Sequence, residues 1–173
     1  FHVQVELTMK TNFDGTQNVC KELLPLVKPQ CRVVNVSSMV IAKALNSCSP
    51  ELQLKFGRET ITEAALVGLM YKFVEETNGV HQEEGWPSTA YGVSKTGVTV
   101  LSRIQARKLN EQRADKILPS ACSPGWVRTD MGEPSALKSR EEGAETPMYL
   151  ALLPPGALEP HGQLVMEKQV AQW

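Results

Sequence analysis

The sequence predicts an α/β fold in which helices cover both faces of a mostly parallel sheet. Three observations carry that expectation. Amphipathic stretches and short β-branched runs alternate along the chain as helix, strand, helix, strand, helix, strand. The two clearest strands, Cys31 to Ser38 and Lys116 to Cys122, end in Ser37-Ser38 and Ser123-Pro124-Gly125. The helix between them, residues 88 to 111, is apolar on two opposite sides, as a helix buried on both sides must be.

Residues 4 to 28 carry Leu7, Thr11, Val19, Leu23, Leu26 and Val27 near helical spacing, and Pro25 and Pro29 punctuate the end, so one helix is expected, fraying at Pro25. Arg32-Val33-Val34-Asn35-Val36 then reads as a buried strand. From Ala44 to Thr89 the text is polar with helical patches. Ser49-Pro50-Glu51 starts one helix with Pro50 at its first position, and Thr62-Glu63 starts another that runs to Glu76. Asn78-Gly79 and Gly85-Trp86-Pro87 close that segment as loop. In the helix at 88 to 111, Val93, Gly97, Val100, Leu101 and Ile104 form one stripe, and Tyr91, Val98, Ala106 and Leu109 a second. After the strand ending at Cys122, Glu141 to Leu153 is helical with an acidic first turn that suits the helix dipole, and Gln163 to Met166 is a last short strand. In parallel α/β sheets ligands bind beyond the carboxyl ends of the strands, which points at Ser37-Ser38 and at Pro124-Gly125-Trp126.

Composition narrows the function. The chain has 173 residues, 42% hydrophobic and 21% charged, with a net charge of -1 and no run of five or six like charges. That argues against nucleic acid or an anionic membrane as the main partner. The N-terminal Phe1-His2-Val3-Gln4 has neither a basic n-region nor an apolar h-region, and no apolar run is long enough to span a bilayer, so a cytoplasmic setting is expected. Cys20, Cys31, Cys48 and Cys122 form no CxxC pair and have no His at ligand spacing, so free thiols are expected and no metal site. Asn35-Val36-Ser37 matches a glycosylation sequon but lies in a buried strand.

Tyr91 and Lys95, four apart, are neighbours on one helix face. A phenol is a poor acid or base near neutrality, and an adjacent ammonium favours its phenolate, which makes the pair a general acid with its tuner on a rigid element. The spacing alone also fits an ordinary amphipathic helix with an exposed Lys. Likewise Asn12 reads as an exposed polar residue, Ser37-Ser38 as a cap or turn, Pro124-Gly125 as a strand-ending turn and Trp126 as a core aromatic.

Four segments in order change that balance. Thr11-Asn12-Phe13, Arg32-Val33-Val34-Asn35-Val36-Ser37-Ser38, Tyr91-Gly92-Val93-Ser94-Lys95 and Pro124-Gly125-Trp126-Val127-Arg128-Thr129 resemble the Asn, Ser, YxxxK and PG motifs of the short-chain dehydrogenases/reductases. The whole chain is similar to the C-terminal three-fifths of the monomeric NADPH-dependent carbonyl reductases in that family. Ser38 and Tyr91 are separated by 53 positions, against about a dozen in most of the superfamily, and a helical insert of that size marks the carbonyl reductase branch, where the resemblance implies that it covers the helix face carrying Val98, Ala106 and Leu109.

The resemblance implies the C-terminal part of a doubly wound Rossmann-type parallel sheet, residues 1–173 forming one partial domain with an insert at about 44–89. It implies NADPH-dependent reduction of ketones, aldehydes and quinones to alcohols. Tyr91 would donate the proton, Ser38 would polarise the carbonyl, and Lys95 would tune Tyr91 and hold the nicotinamide ribose. Asn12 would anchor a water relaying protons to Lys95. Val127, Arg128 and Thr129 would line the nicotinamide, and Trp126 would face the substrate.

Other features qualify these expectations. No glycine-rich phosphate-binding turn occurs in the 173 residues, and the resemblance places the dinucleotide-binding half before Phe1. A fragment unable to bind NADPH alone, associating through an open sheet edge where its relatives are monomeric, is therefore an alternative. Hydroxysteroid oxidation is a further one. Pro119 is expected to break a ladder bond in a central strand, Ser120 stands where relatives have Asn, and Asp14 where close relatives are apolar. Cys31 replaces a Gly and is expected to cost about 1 to 2 kcal/mol if its φ is positive.

Overall fold

The computed structural model describes residues 1–112 and 116–173. The first helix runs as α1 (His2–Met9), a π-helical segment (Lys10–Asp14) and α2 (Gly15–Leu23), then narrows to a 3-10 turn (Leu24–Leu26) at Pro25. Next come β1 (Arg32–Val36), α3 (Ile41–Asn46), α4 (Pro50–Gly57), α5 (Glu63–Glu76) and α6 (Ala90–Gln112). They are followed by β2 (Leu118–Ser123), α7 (Arg140–Ala151), β3 (Leu164–Met166) and β4 (Gln169–Val170). Three helix starts are set by side-chain caps. Ser49 accepts from Leu52 N–H and Thr62 from Ala65 N–H, and Ser139 and Glu142 close a capping box on α7.

The sheet order is β1-β2-β3-β4, parallel from β1 to β3, with β4 added antiparallel. The β3–β4 turn places Glu167 and Lys168 at φ 49 and 60, a two-residue hairpin without the glycine or asparagine that usually announces one. Strand side chains alternate between two faces. Cys122, Val165 and the partly buried Val34 pack with Leu150 of α7, whereas Asn35 and Ser37 point toward α6. Helices therefore cover both faces, as the sequence predicts.

Three expectations change. Pro119 sits in the buried middle strand yet breaks no bond to β1. Leu118 N–H donates to Cys31 O on the β1 side, while the Pro119 carbonyl faces the other way and accepts from Gly162 N–H at 2.7 Å. The missing N–H therefore faces a region before β3 begins to pair, at Ala121 opposite Leu164. Cys31 carries no positive φ; the left-handed residue is its neighbour Gln30, at φ 64. The segment between β1 and α6 covers the stripe of Val93, Val100, Leu101 and Ile104 rather than the second one, joining Val5, Met9 and Phe13 of the first helix and Leu66, Met70 and Phe73 of α5 in one cluster. Of the second stripe, Ala106 lies against Gly162 and Leu109 lines a groove with α2.

All four cysteines are free, and Cys20, Cys48 and Cys122 are buried. Among the described residues, no helix is long and apolar enough to cross a membrane, and no three His, Cys, Asp or Glu side chains gather where a metal ion could be held.

Candidate active site

The site residues gather where β1 and β2 end. Between β1 and α6 the contacts form a series. Asn35 Nδ2 donates to Ser102 Oγ at 2.8 Å and to Gln105 Oε1 at 3.1 Å. Ser37 Oγ donates to Lys95 O at 3.1 Å and lies 2.6 Å from Thr99 Oγ1. Lys95 Nζ donates to Val36 O at 2.8 Å. Successive strand residues thus fix both the rotation of α6 and its position along β1.

Tyr91 and Lys95 share the β1-facing end of α6, with Nζ 5.7 Å from the centroid of the Tyr91 ring. Burial lowers the Lys95 ammonium from the ordinary lysine range, partly opposed by Cys122. Its bond to Val36 O uses one of three ammonium protons. Tyr91 also lines a cleft of about 470 Å³ with Val40, Lys43, Ser47, Pro87 and Thr89.

Asn12 sits in the π-helical segment, where Gly15 N–H reaches back five residues to Lys10 O. Its Nδ2 donates to Ser94 Oγ at 3.1 Å, and Ser94 Oγ donates to Tyr91 O at 2.8 Å. Asn12 is therefore joined to the turn of α6 that carries Tyr91, not simply exposed. The Asn12 carbonyl accepts from Thr16 Oγ1 at 2.8 Å. π-bulges recur at functional sites because they redirect a backbone group and a side chain at once.

The serine pair divides its work. Ser37 is committed to α6, while buried Ser38 accepts from Val40 N–H at 3.3 Å and, among the described residues, its hydroxyl donates to none. Trp126 is 46% exposed, which removes the core-aromatic reading. Val127 turns its side chain toward α7, where a Cβ on Gly143 would meet its Cγ2 at 2.5 Å. Arg128 donates to Ala136 O and Leu137 O, so its guanidinium ties its own loop. Exposed Thr129 accepts from Gly132 N–H at 3.2 Å through Oγ1 and retains a proton to donate. The structure thus brings Lys95 against the Tyr91 ring and links Asn12, through Ser94, to the Tyr91 main-chain carbonyl. It places Ser38 and Trp126 to Thr129 beyond the carboxyl ends of β1 and β2, with Val127 and Arg128 side chains engaged elsewhere.

Sequence reading missed Ser94 and Ser123. Ser94 lies inside the Tyr91–Lys95 interval, three residues after Tyr91, a spacing that puts it on the same helical flank. Ser123 had only its position before Pro124-Gly125 as a signal.

No family model matches the chain. Carbonyl reductase [NADPH] 1 of Oryctolagus cuniculus and that of Homo sapiens are each 73% identical to it across the whole of this chain. The chain spans 63% of the length of these curated relatives. Among solved structures, salutaridine reductase from Papaver somniferum superposes with a TM-score of 0.81 at 27% identity, covering 95% of this chain and 55% of that one. Over its whole length this chain is similar in sequence to these carbonyl reductases, and its fold is similar to that of salutaridine reductase, with the Asn, Ser, YxxxK and PG segments gathered at the carboxyl ends of β1 and β2.

Proposed function

We propose that the chain supplies the catalytic part of an NADPH-dependent reductase that converts ketones, aldehydes and quinones to alcohols, with Tyr91 as general acid. The observation that carries this reading is the Tyr91–Lys95 pair, with the ammonium seated on Val36 O beside the phenol ring. The nicotinamide end of the dinucleotide suits the donors present: Lys95 has ammonium protons to spare for ribose hydroxyls, and Thr129 has a hydroxyl proton for the carboxamide. NADPH, when bound, supplies the hydride. Ser38 donates its free proton to the substrate carbonyl and polarises it, and Tyr91 delivers the proton to the same oxygen. Lys95 steadies the phenolate left behind, and Asn12 serves the proton relay to Lys95 through a bridging water. Val127 and Arg128 contribute backbone beside the nicotinamide, and Trp126 faces the substrate.

Menadione-dependent oxidation of NADPH tests this, measured on the chain and on a fusion that places residues 1–173 behind the N-terminal part of a curated relative. Tyr91→Phe is expected to slow the active form by about 10²- to 10⁴-fold. Activity unmoved by Tyr91→Phe would overturn the reading.

A second reading concerns the 173 residues by themselves. Among the described residues β1 pairs on one side only, and Val36 is 49% exposed. An open parallel edge of this kind favours association between copies. Light scattering that gives a monomer at high concentration would remove it. Four unpaired cysteines suit a reducing, cytoplasmic setting.

A further inference from the structure

We infer that Ser123 is a positioning residue that locks the two site loops to each other. Where β1 and β2 end, the last backbone rung is Ser37 N–H donating to Cys122 O at 2.7 Å. Among the described residues no backbone bond joins the two segments beyond it. The Ser123 hydroxyl does so: it accepts from Met39 N–H at 3.0 Å and from Gly125 N–H at 3.2 Å. Met39 directly follows Ser38, and Gly125, at φ 84, directly precedes Trp126. One side-chain oxygen, on a residue only 3% exposed, therefore joins the loop carrying the carbonyl-polarising serine to the loop carrying residues 126 to 129. With that oxygen removed, two amides lose their partner and the loops are free to move independently.

The consequence for catalysis rests on the roles proposed above for Ser38 and residues 126 to 129; the mechanical claim does not. Ser123 touches no reacting group, so its effect must pass through loop position, and small displacements of positioning groups cost rate steeply.

Amide hydrogen exchange on the chain separates the two. The wild type should protect Met39 and Gly125 amides although both lie in loops. Ser123→Ala should speed exchange at those two positions by about tenfold or more, while Ala121 and Val165 in the sheet stay protected. Ser123→Thr, which keeps the hydroxyl, should restore protection. Unprotected Met39 and Gly125 amides in the wild type would overturn the inference without any variant having to fold. In the form that reduces menadione, Ser123→Ala should lower kcat about tenfold with recovery in Ser123→Thr. Loss of protection with kcat unmoved would also overturn the positioning role. A form with no activity at all counts against the proposed function and leaves the exchange result to decide on Ser123.

Discussion

The two sides of α6 are both buried, and they are held by opposite means. Toward α1 and α5, Val93, Val100, Leu101 and Ile104 meet Phe13, Met70 and Phe73, and a Cβ on Gly97 would lie 2.7 Å from Met70 Sδ. Toward β1, Lys95, Thr99, Ser102 and Gln105 are tied atom to atom to Val36, Ser37 and Asn35. Apolar packing is large in total and nearly indifferent to small slides, whereas hydrogen bonds are modest in net energy and demand one register. The first side therefore governs how strongly α6 resists unfolding. The second governs where along β1 its Tyr91 and Lys95 come to rest.

The largest effect on stability should come from the apolar side. Phe13→Ala is expected to cost about 3–5 kcal/mol in urea denaturation, because Phe13 is fully buried against Met70 and α6. A cost near zero would mean that the cluster collapses around the gap and that the packed side is looser than it looks.

A smaller but more telling change is Asn35→Ala. It should cost about 1–3 kcal/mol, since Ser102, Gln105 and Cys20 all lose a buried partner. In the fused form, the proposed menadione reduction should fall further than that stability loss explains. The control is Ile104→Val, which is expected to cost about 0.5–1.5 kcal/mol while leaving the rate near that of the wild type. Equal rate losses in the two variants would erase the distinction between the sides.

The smallest effect belongs to Glu63, at the rim where the two regions meet α2. Burial raises its carboxyl, but the hydrogen bond from Gln17 at 3.0 Å and the Lys108 ammonium at 2.5 Å hold it below the ordinary 4.5. A depressed carboxylate contributes stability that is present above its unfolded value and is lost as pH falls through its folded one. Melting temperature followed from neutral to acidic pH should therefore fall less steeply in Glu63→Gln. The difference near neutrality should be no more than about 1 kcal/mol. An unchanged acid limb would show that the rim pair contributes nothing.

The sequence was readable where a local rule decides the outcome. Ser49 and Thr62 cap the helices their spacing announces, and the β-branched run before Ser37 becomes β1. It was unreadable where the answer depends on which way a group faces. Whether Pro119 harms the sheet turns on the direction of one absent N–H, which only the pairing of β2 with its two neighbours reveals. The left-handed residue fell on Gln30 rather than Cys31, and β4 follows a turn built from Glu167 and Lys168. No turn signature marks those residues. In the site, Tyr91 and Lys95 were legible from their spacing, but the tie of Asn12 to Ser94 crosses from one helix to another and has no trace in either segment alone.

The π-helical stretch at Lys10–Asp14 has a consequence for how this chain can vary. Each residue of an α-helix advances the azimuth by about 100°, and the widened turn takes up one extra residue without changing the phase upstream. Val5 and Met9 are buried in the present phase. The stretch holds one residue more than an α-helical turn, so removing one should close it to ordinary α-helix with Val5 and Met9 still facing the apolar cluster. What the extra residue alters is local: it sets where Asn12 meets Ser94 and where Phe13 enters the cluster, so a deletion there should disturb the site more than the packing of the upstream helix.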